Sequence, residues 1–471
     1  MLAALGLAGV MIALDSASPP RGPELAPTTT LEQELEGAYP RTTEPNGTVR
    51  DFDLTAAPAQ LPLLAGQNLA VWAYNGQVPG PVFRVKKGDT VRVHFENRLP
   101  QATTVHWHGV RVPNAMDGVP GVTQPPVQPG HSFAYEFVAR DAGTFWFHPH
   151  MRSSEQVERG LFGVLVVEDR EPPPYSRELV WVVDDWKLDE SGQIAAEFNT
   201  RHDLAHDGRW GNVVTVNGVR SPEIEVWPGE RLRVRMVNVA NGRVFRLDWA
   251  GLAPAGIAVD GLYARAPFDA SAFEMAPGNR LDADLVIPAA ARGKTFEIID
   301  GYSRQRHVVA RLRVADVPAV ETPEFPSPAA GHVPAWAAAA SAPVTKELAL
   351  NAERGGPFGI TWTIAGAAMR HDHGEHAHDT LFILPRDRFS RLAFVNESAR
   401  IHPMHLHGTF FKVIARGGLP ADEPFFRDTV LVKPRERVDI GLVPVDEGTW
   451  MMHCHILEHA ESGMMSLFRV E

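Results

Sequence analysis

One pattern constrains the fold of this chain more than any other: a loose threefold repeat of turn, alternating strand, glycine turn and second alternating strand. Residues 75–97 read NGQVPGPVFRVKKGDTVRVHFEN and residues 217–238 read NGVRSPEIEVWPGERLRVRMVN. Residues 381–396, LFILPRDRFSRLAFVN, repeat the second part of the scheme. Apolar residues at every second position, as in Val91, Val93 and Phe95 or Leu232, Val234 and Met236, put their side chains on one face of a sheet. Helical spacing is nearly absent, and 40 Gly with 39 Pro provide turns for many short strands. The pattern predicts an all-β protein of three consecutive β-sandwich domains with Greek-key connections. The repeat places them at 45–170, 171–315 and 345–471, with 316–344, rich in Ala and Pro, as an extended linker.

The net charge of −12 argues against nucleic acid or an anionic membrane surface as partner. Residues 1–14, MLAALGLAGVMIAL, followed by small residues at Ser16, Ala17 and Ser18, resemble the apolar core and cleavage region of a secretory signal, although the first basic residue is Arg21. Residues 1–44 are therefore read as a signal remnant and extended segment, and the protein as exported, periplasmic or extracellular. No later run reaches the roughly 18 apolar residues of a membrane span. The single cysteine, Cys454, rules out an intramolecular disulfide.

The first and third units share more than hydrophobicity. Asn97 is followed at offsets of nine and eleven by His106 and His108, and Asn396 at the same offsets by His405 and His407. Gly143-Thr144 precedes His148 and His150 as Gly448-Thr449 precedes His453 and His455. The middle unit has Leu247 and Trp249 near one such place and no His-x-His near the other: the fold without the ligands. Side chains two apart in a strand share a face, so each His-x-His aims two imidazoles the same way. Four pairs converging between the outer units supply eight nitrogen ligands. By the same parity Cys454 points away from His453 and His455, and His402 away from His405 and His407. These two are free to meet on the other side, with His459 and Met464 arriving from the following turn. Two imidazoles, a thiolate and a thioether form the ligand set of a blue-copper electron-transfer site. A closed tetrahedral zinc site would leave eight clustered imidazoles unexplained.

The four motifs, His106-Trp-His108-Gly, His148-Pro-His150, His402-Pro-Met-His405-Leu-His407-Gly and His453-Cys454-His455 with His459 and Met464, resemble those of the multicopper oxidases, in family order over residues 45–471. The resemblance implies three cupredoxin-like domains and four copper ions. His106 and His405 are implied to bind the type 2 copper. His108, His148, His150, His407, His453 and His455 are implied to bind the type 3 pair. His402, Cys454, His459 and Met464 are implied for type 1, with His459 the exposed ligand facing the reductant. The implied activity is laccase-like: single electrons from a small aromatic reductant collected at type 1, passed through Cys454, and used in fours to reduce dioxygen to water. The alternative is oxidation of cuprous or other metal ions in copper tolerance. A non-enzymatic envelope scaffold of the same fold is the third reading, and the complete ligand set argues against it. Copper nitrite reductase lacks this set of motifs.

Dioxygen reduction consumes protons, and Asp117, in Met-Asp-Gly-Val-Pro, matches an acid that family members place beside the cluster; Asp-Gly also makes turns. Several bacterial relatives carry Glu immediately after the last type 1 His, where this chain has Ala460, with Glu461 one place later. Asp428 is placed either to orient a ligating imidazole or to make a turn. His371, His373, His376 and His378, with Asp372 and Glu375, form a His-rich segment of the kind that binds metal or stays solvated. The scattered histidines His94, His131, His202, His206, His307 and His332 read as structural or exposed.

Overall fold

A computed structural model describes residues 43–64, 67–324, 339, 341–369 and 379–471. Residues 1–42 and the His-rich segment 371–378 lie outside the described residues, as does most of the stretch read as a linker.

Strands dominate, and they assemble into three pairs of sheets built on one plan. In the first pair, Val49–Leu63 runs parallel to Thr90–Asn97 in one sheet, and Val82–Lys86 parallel to Gly163–Glu168 in the other. The second pair repeats this with Arg177–Trp186 beside Arg231–Asn238 and Glu223–Val226 beside His307–Val314. The third repeats it again with Lys346–Arg354 beside Ser390–Asn396 and Thr380–Leu384 beside Met465–Val470. Most other pairings are antiparallel hairpins and crossovers, which gives the three sandwiches expected from the repeat and the cupredoxin-like arrangement that the family resemblance implies.

The repeated residues explain why each copy folds alike. Asn97, Asn238 and Asn396 each end a strand and do the same work. Each side-chain amide donates to two main-chain carbonyls of neighbouring loops, and each side-chain oxygen accepts the N–H two residues on. The tight turns before them require positive φ at two positions, which Asn75-Gly76 and Asn217-Gly218 provide. The third copy of that turn is Ala365-Gly366, with Ala365 at φ 50°. Ala in the Asn position hid this half of the repeat from the sequence, and the His-rich segment follows it in the chain.

Alternation along Thr90–Asn97 is as read, with Val91, Val93 and Phe95 buried. Along Arg231–Asn238 it needs correction, because the polar face is buried too. Arg233 and Arg235 pair there with Asp282, and Arg235 also donates to Thr144 of the first sandwich at 2.9 Å. The second face is thus an interface between sandwiches. Where the outer units carry histidines, the middle unit packs Trp249 against Trp181, ring centroids 5.7 Å apart and nearly parallel. Such a pair contributes apolar burial rather than ligands.

Candidate metal centre

The strands aim the histidines as their parity demands. His106 lies opposite His148 in one antiparallel ladder, and His405 opposite His453 in another. His150, His407 and His455 follow just beyond strand ends, where the chain turns into the gap between the first and third sandwiches. All eight imidazoles are buried and meet in that gap. His106 stacks on His407 and His108 on His405, each pair with centroids 3.8 Å apart, and each links the two units. His150, His407 and His453 bring their ring nitrogens together, with Nε2 atoms 3.3 Å and 3.2 Å apart along the chain of contacts.

Main-chain carbonyls set the tautomers. A carbonyl only accepts, so the ring nitrogen facing it carries the proton. Nδ1 of His106, His148, His405 and His453 donates to the carbonyls of Asp117, Pro149, Asp428 and Cys454 at 2.8–2.9 Å. Nε2 of His106, His148 and His405, Nδ1 of His108 and both nitrogens of His455 are buried with no hydrogen-bond partner among the described residues. A buried polar atom left unpaired costs about 1–3 kcal/mol. So many in one gap is a cost that a bound cation removes. Burial also pushes His108, His148, His407 and His455 well below the usual imidazole range, so they stay neutral, with lone pairs free. The donor set fits copper.

The second cluster forms on the opposite face. Cys454 Sγ is 3.7 Å from His402 Nδ1 and 3.8 Å from His459 Nδ1, and the two Nδ1 atoms are 3.2 Å apart. His402 turns its Nε2 to Ser398 Oγ at 2.9 Å, and His459 Nε2 donates to the His206 carbonyl at 2.6 Å. The Ser398 hydroxyl gives its proton to Asn396 Oδ1 at 2.8 Å and so accepts from His402 Nε2. The hydrogen bonds at both Nε2 atoms then leave Nδ1 bare beside the sulfur, the tautomer that a trigonal His2Cys site needs. Met464 is fully buried in the same apolar cluster, and its carbonyl accepts the Cys454 N–H at 3.0 Å. His453-Cys454-His455 therefore joins the two clusters through one short stretch of chain. Burial pushes His459 down to about 3 and pushes the Cys454 thiol up, which favours the neutral forms until a metal ion claims the sulfur.

One expectation fails here. His459 is fully buried, not exposed: the helix Arg201–Ala205 of the middle unit and the loop after it cover its edge, and Trp362 packs on its ring at 4.3 Å. The middle unit thus supplies part of the site, though it carries no ligand motif.

Asp117 and Asp428 sit beside the imidazoles. Asp117 Oδ2 accepts from His407 Nδ1 at 2.8 Å, and Oδ1 lies 3.3 Å from His106 Nδ1. Asp428 orients ligands rather than only making a turn: Oδ1 faces His108 Nε2 at 3.2 Å while its carbonyl holds His405. Burial opposes its ionisation, but Arg280 and His405 outweigh burial and hold Asp428 below the usual carboxylate range. Arg280, from the middle unit, grips Asp428 with two nitrogens and also contacts Asp260. Two glycines make room for this approach. A Cβ on Gly109 would lie 2.1 Å from Arg280 Nη2, and one on Gly278 2.9 Å from His455. Sequence reading missed Arg280, Asp260 and Ser398, for a strand Arg or a loop Ser carries no local signal of the site it supports.

A cavity of about 460 Å3 reaches His148, His150 and His453 from outside. Ala460 lines it, and so does Glu461, which accepts from Ser154 N and Asn199 Nδ2, both at 2.8 Å. The carboxyl one place later in sequence thus faces the same cavity as residue 460.

The comparisons agree with this geometry. Sequence profiles described as multicopper oxidase match residues 55–172 and 346–471. A multicopper oxidase structure from Pseudomonas thermotolerans is 32% identical, covers 90% of this chain and all of its own, and superposes with a TM-score of 0.80. A laccase structure from Pediococcus acidilactici is 26% identical, with 90% of each chain covered and a TM-score of 0.76. A multicopper oxidase of Mycobacterium tuberculosis is 28% identical over 98% of this chain and 94% of its own length. Three cupredoxin-like sandwiches, eight gathered imidazoles and a joined His2Cys cluster lead to the same conclusion as these likenesses: the chain belongs to the multicopper oxidase family, copper-dependent oxidoreductases that deliver substrate electrons to dioxygen.

Proposed function

We propose that the protein is a laccase-like oxidase that takes single electrons from an easily oxidised phenolic or related aromatic reductant. Four electrons then convert one dioxygen to two waters. The observation that carries this reading is the His453-Cys454-His455 link between a His2Cys cluster and a gathered set of eight imidazoles. His402, Cys454, His459 and Met464 would hold a type 1 copper, and His106 with His405 a type 2 copper. His108, His148, His150, His407, His453 and His455 would hold a type 3 pair, four ions in all. Bound copper supplies reversible one-electron redox chemistry.

The chain's own residues prepare the site for it. Ser398 and the His206 carbonyl fix the tautomers of His402 and His459. Asp117 and Asp428 hold imidazoles from both outer sandwiches, and Asp117 is also an acid beside the cluster suited to proton supply. A thioether at Met464 keeps the type 1 potential low to moderate, which suits electron-rich reductants. The apolar run at residues 1–14 supports export, so the enzyme would work outside the cytoplasm.

One observation favours a second reading, oxidation of cuprous ion. A phenol cannot touch His459 directly, because that ring is covered. Steady-state turnover of the copper-loaded protein on a methoxyphenol and on cuprous ion, side by side, separates the two. The laccase reading expects the larger kcat/KM on the phenol, and a larger value on cuprous ion contradicts it.

A further inference from the structure

The helix Arg201–Ala205 lies over His459 and brings two histidines to the surface there. His202 and His206 are both exposed, and their rings lie 4.1 Å apart and 25° from parallel. Residues four apart on a helical turn share a face, so both ring edges open to the same solvent. His206 Nδ1 donates to the His202 carbonyl at 2.9 Å, which leaves His206 Nε2 with a bare lone pair. The copper cluster uses the same device at His106, His148, His405 and His453. The support beneath the pair is firm. Thr200 caps the helix by accepting the Asp203 N–H, Lys187 holds the Asp203 carboxylate at 2.8 Å, and Trp362 Nε1 donates to the Leu204 carbonyl at 2.8 Å.

The link inward is short. The carbonyl of His206 accepts the hydrogen bond from His459 Nε2, so the exposed imidazole and the buried one are separated by one residue's covalent bonds and one hydrogen bond.

We propose that His202 and His206 form the docking site for a cuprous ion as substrate, and that its electron reaches His459 through the His206 main chain. The proposal rests on the cuprous-oxidation reading and names its site. Each cuprous ion loses one electron and leaves as a cupric ion. Four such electrons with four protons convert one dioxygen to two waters, so dioxygen is the terminal oxidant. Imidazole nitrogens suit copper. The nearby carboxylates do not close the pair into a tight cage, since Asp203 is taken by Lys187 and Asp207 accepts the Ile401 N–H at 3.2 Å. An open pair of ligands lets the product leave.

The test compares copper-loaded wild type with His202→Ala/His206→Ala. Both substitutions leave the His206 carbonyl, and hence the His459 hydrogen bond, in place. Zinc ion serves as a redox-inert probe in equilibrium dialysis. The double variant is expected to bind one zinc fewer per chain, to keep its blue absorption, and to show a KM for cuprous ion raised roughly tenfold or more, a loss on the scale of removing even a supporting group at a metal site. His202→Asn alone is expected to move both readouts in the same direction, which guards against a folding defect in the double variant. Equal zinc binding in wild type and variants overturns the proposal, and so does lost zinc binding with an unchanged cuprous KM. A wild type that does not oxidise cuprous ion at all overturns the cuprous reading itself. A wild type that does so, matched by the variants, overturns only the docking site.

Discussion

Replacing Cys454 with Ser is expected to abolish the intense blue absorption of a copper–thiolate bond while leaving copper in the imidazole cluster. Cys454 is the only cysteine, and its sulfur faces the Nδ1 atoms of both His402 and His459. The imidazoles on the other side of the strand keep all their nitrogens in the variant. Burying a hydroxyl in place of the thiol costs about 1–3 kcal/mol, which a sandwich of this size tolerates. Turnover with any reductant should fall roughly a thousandfold or more, a barrier increase of about 4 kcal/mol, because the electrons lose their covalent path to His453 and His455. Optical spectra and metal analysis of the purified variant check both halves. A variant that stays blue contradicts the assignment of the His2Cys cluster.

The second large effect belongs to a residue with no ligand role. Arg280→Met strands the carboxylates of Asp428 and Asp260 in a fully buried position. Removing one partner of a buried ion pair typically costs about 3–5 kcal/mol, chiefly because the remaining charge is left without compensation. The urea midpoint should drop accordingly. Asp428 also steadies His108 and His405, so the variant should retain fewer copper ions per chain. Adding Asp428→Asn removes one of the two stranded carboxylates, and the double variant should recover part of the lost stability. Losses that simply add would show that Arg280 and Asp428 are not coupled.

These two residues mark how far the sequence carries. Cys454 was legible because a strand's period of two is strict: once His453 and His455 were read as facing one cluster, the residue between them had to face away. His402 followed from the same parity, three residues before His405. Arg280 was not legible, because its partner Asp428 lies 148 positions away in another sandwich. His206 reads in the sequence as structural or exposed, and its side chain is exposed; its carbonyl, which no side-chain motif reports, is what holds His459. The same helix overturned the expectation that His459 reaches solvent, since a cover supplied by the middle unit leaves no pattern in the third. The threefold repeat was visible wherever Asn marked the turn, and its third copy escaped notice where Ala365 replaced that residue at positive φ.

One chain that couples a His2Cys copper to an eight-imidazole cluster should reduce dioxygen fully to water, and oxygen stoichiometry reports whether it does. Copper-loaded protein supplied with limiting one-electron reductant, in a sealed oxygen-electrode cell with peroxide assayed at the end, is expected to consume one dioxygen for every four electrons and to leave no hydrogen peroxide. One dioxygen for every two electrons, with peroxide accumulating, would contradict it.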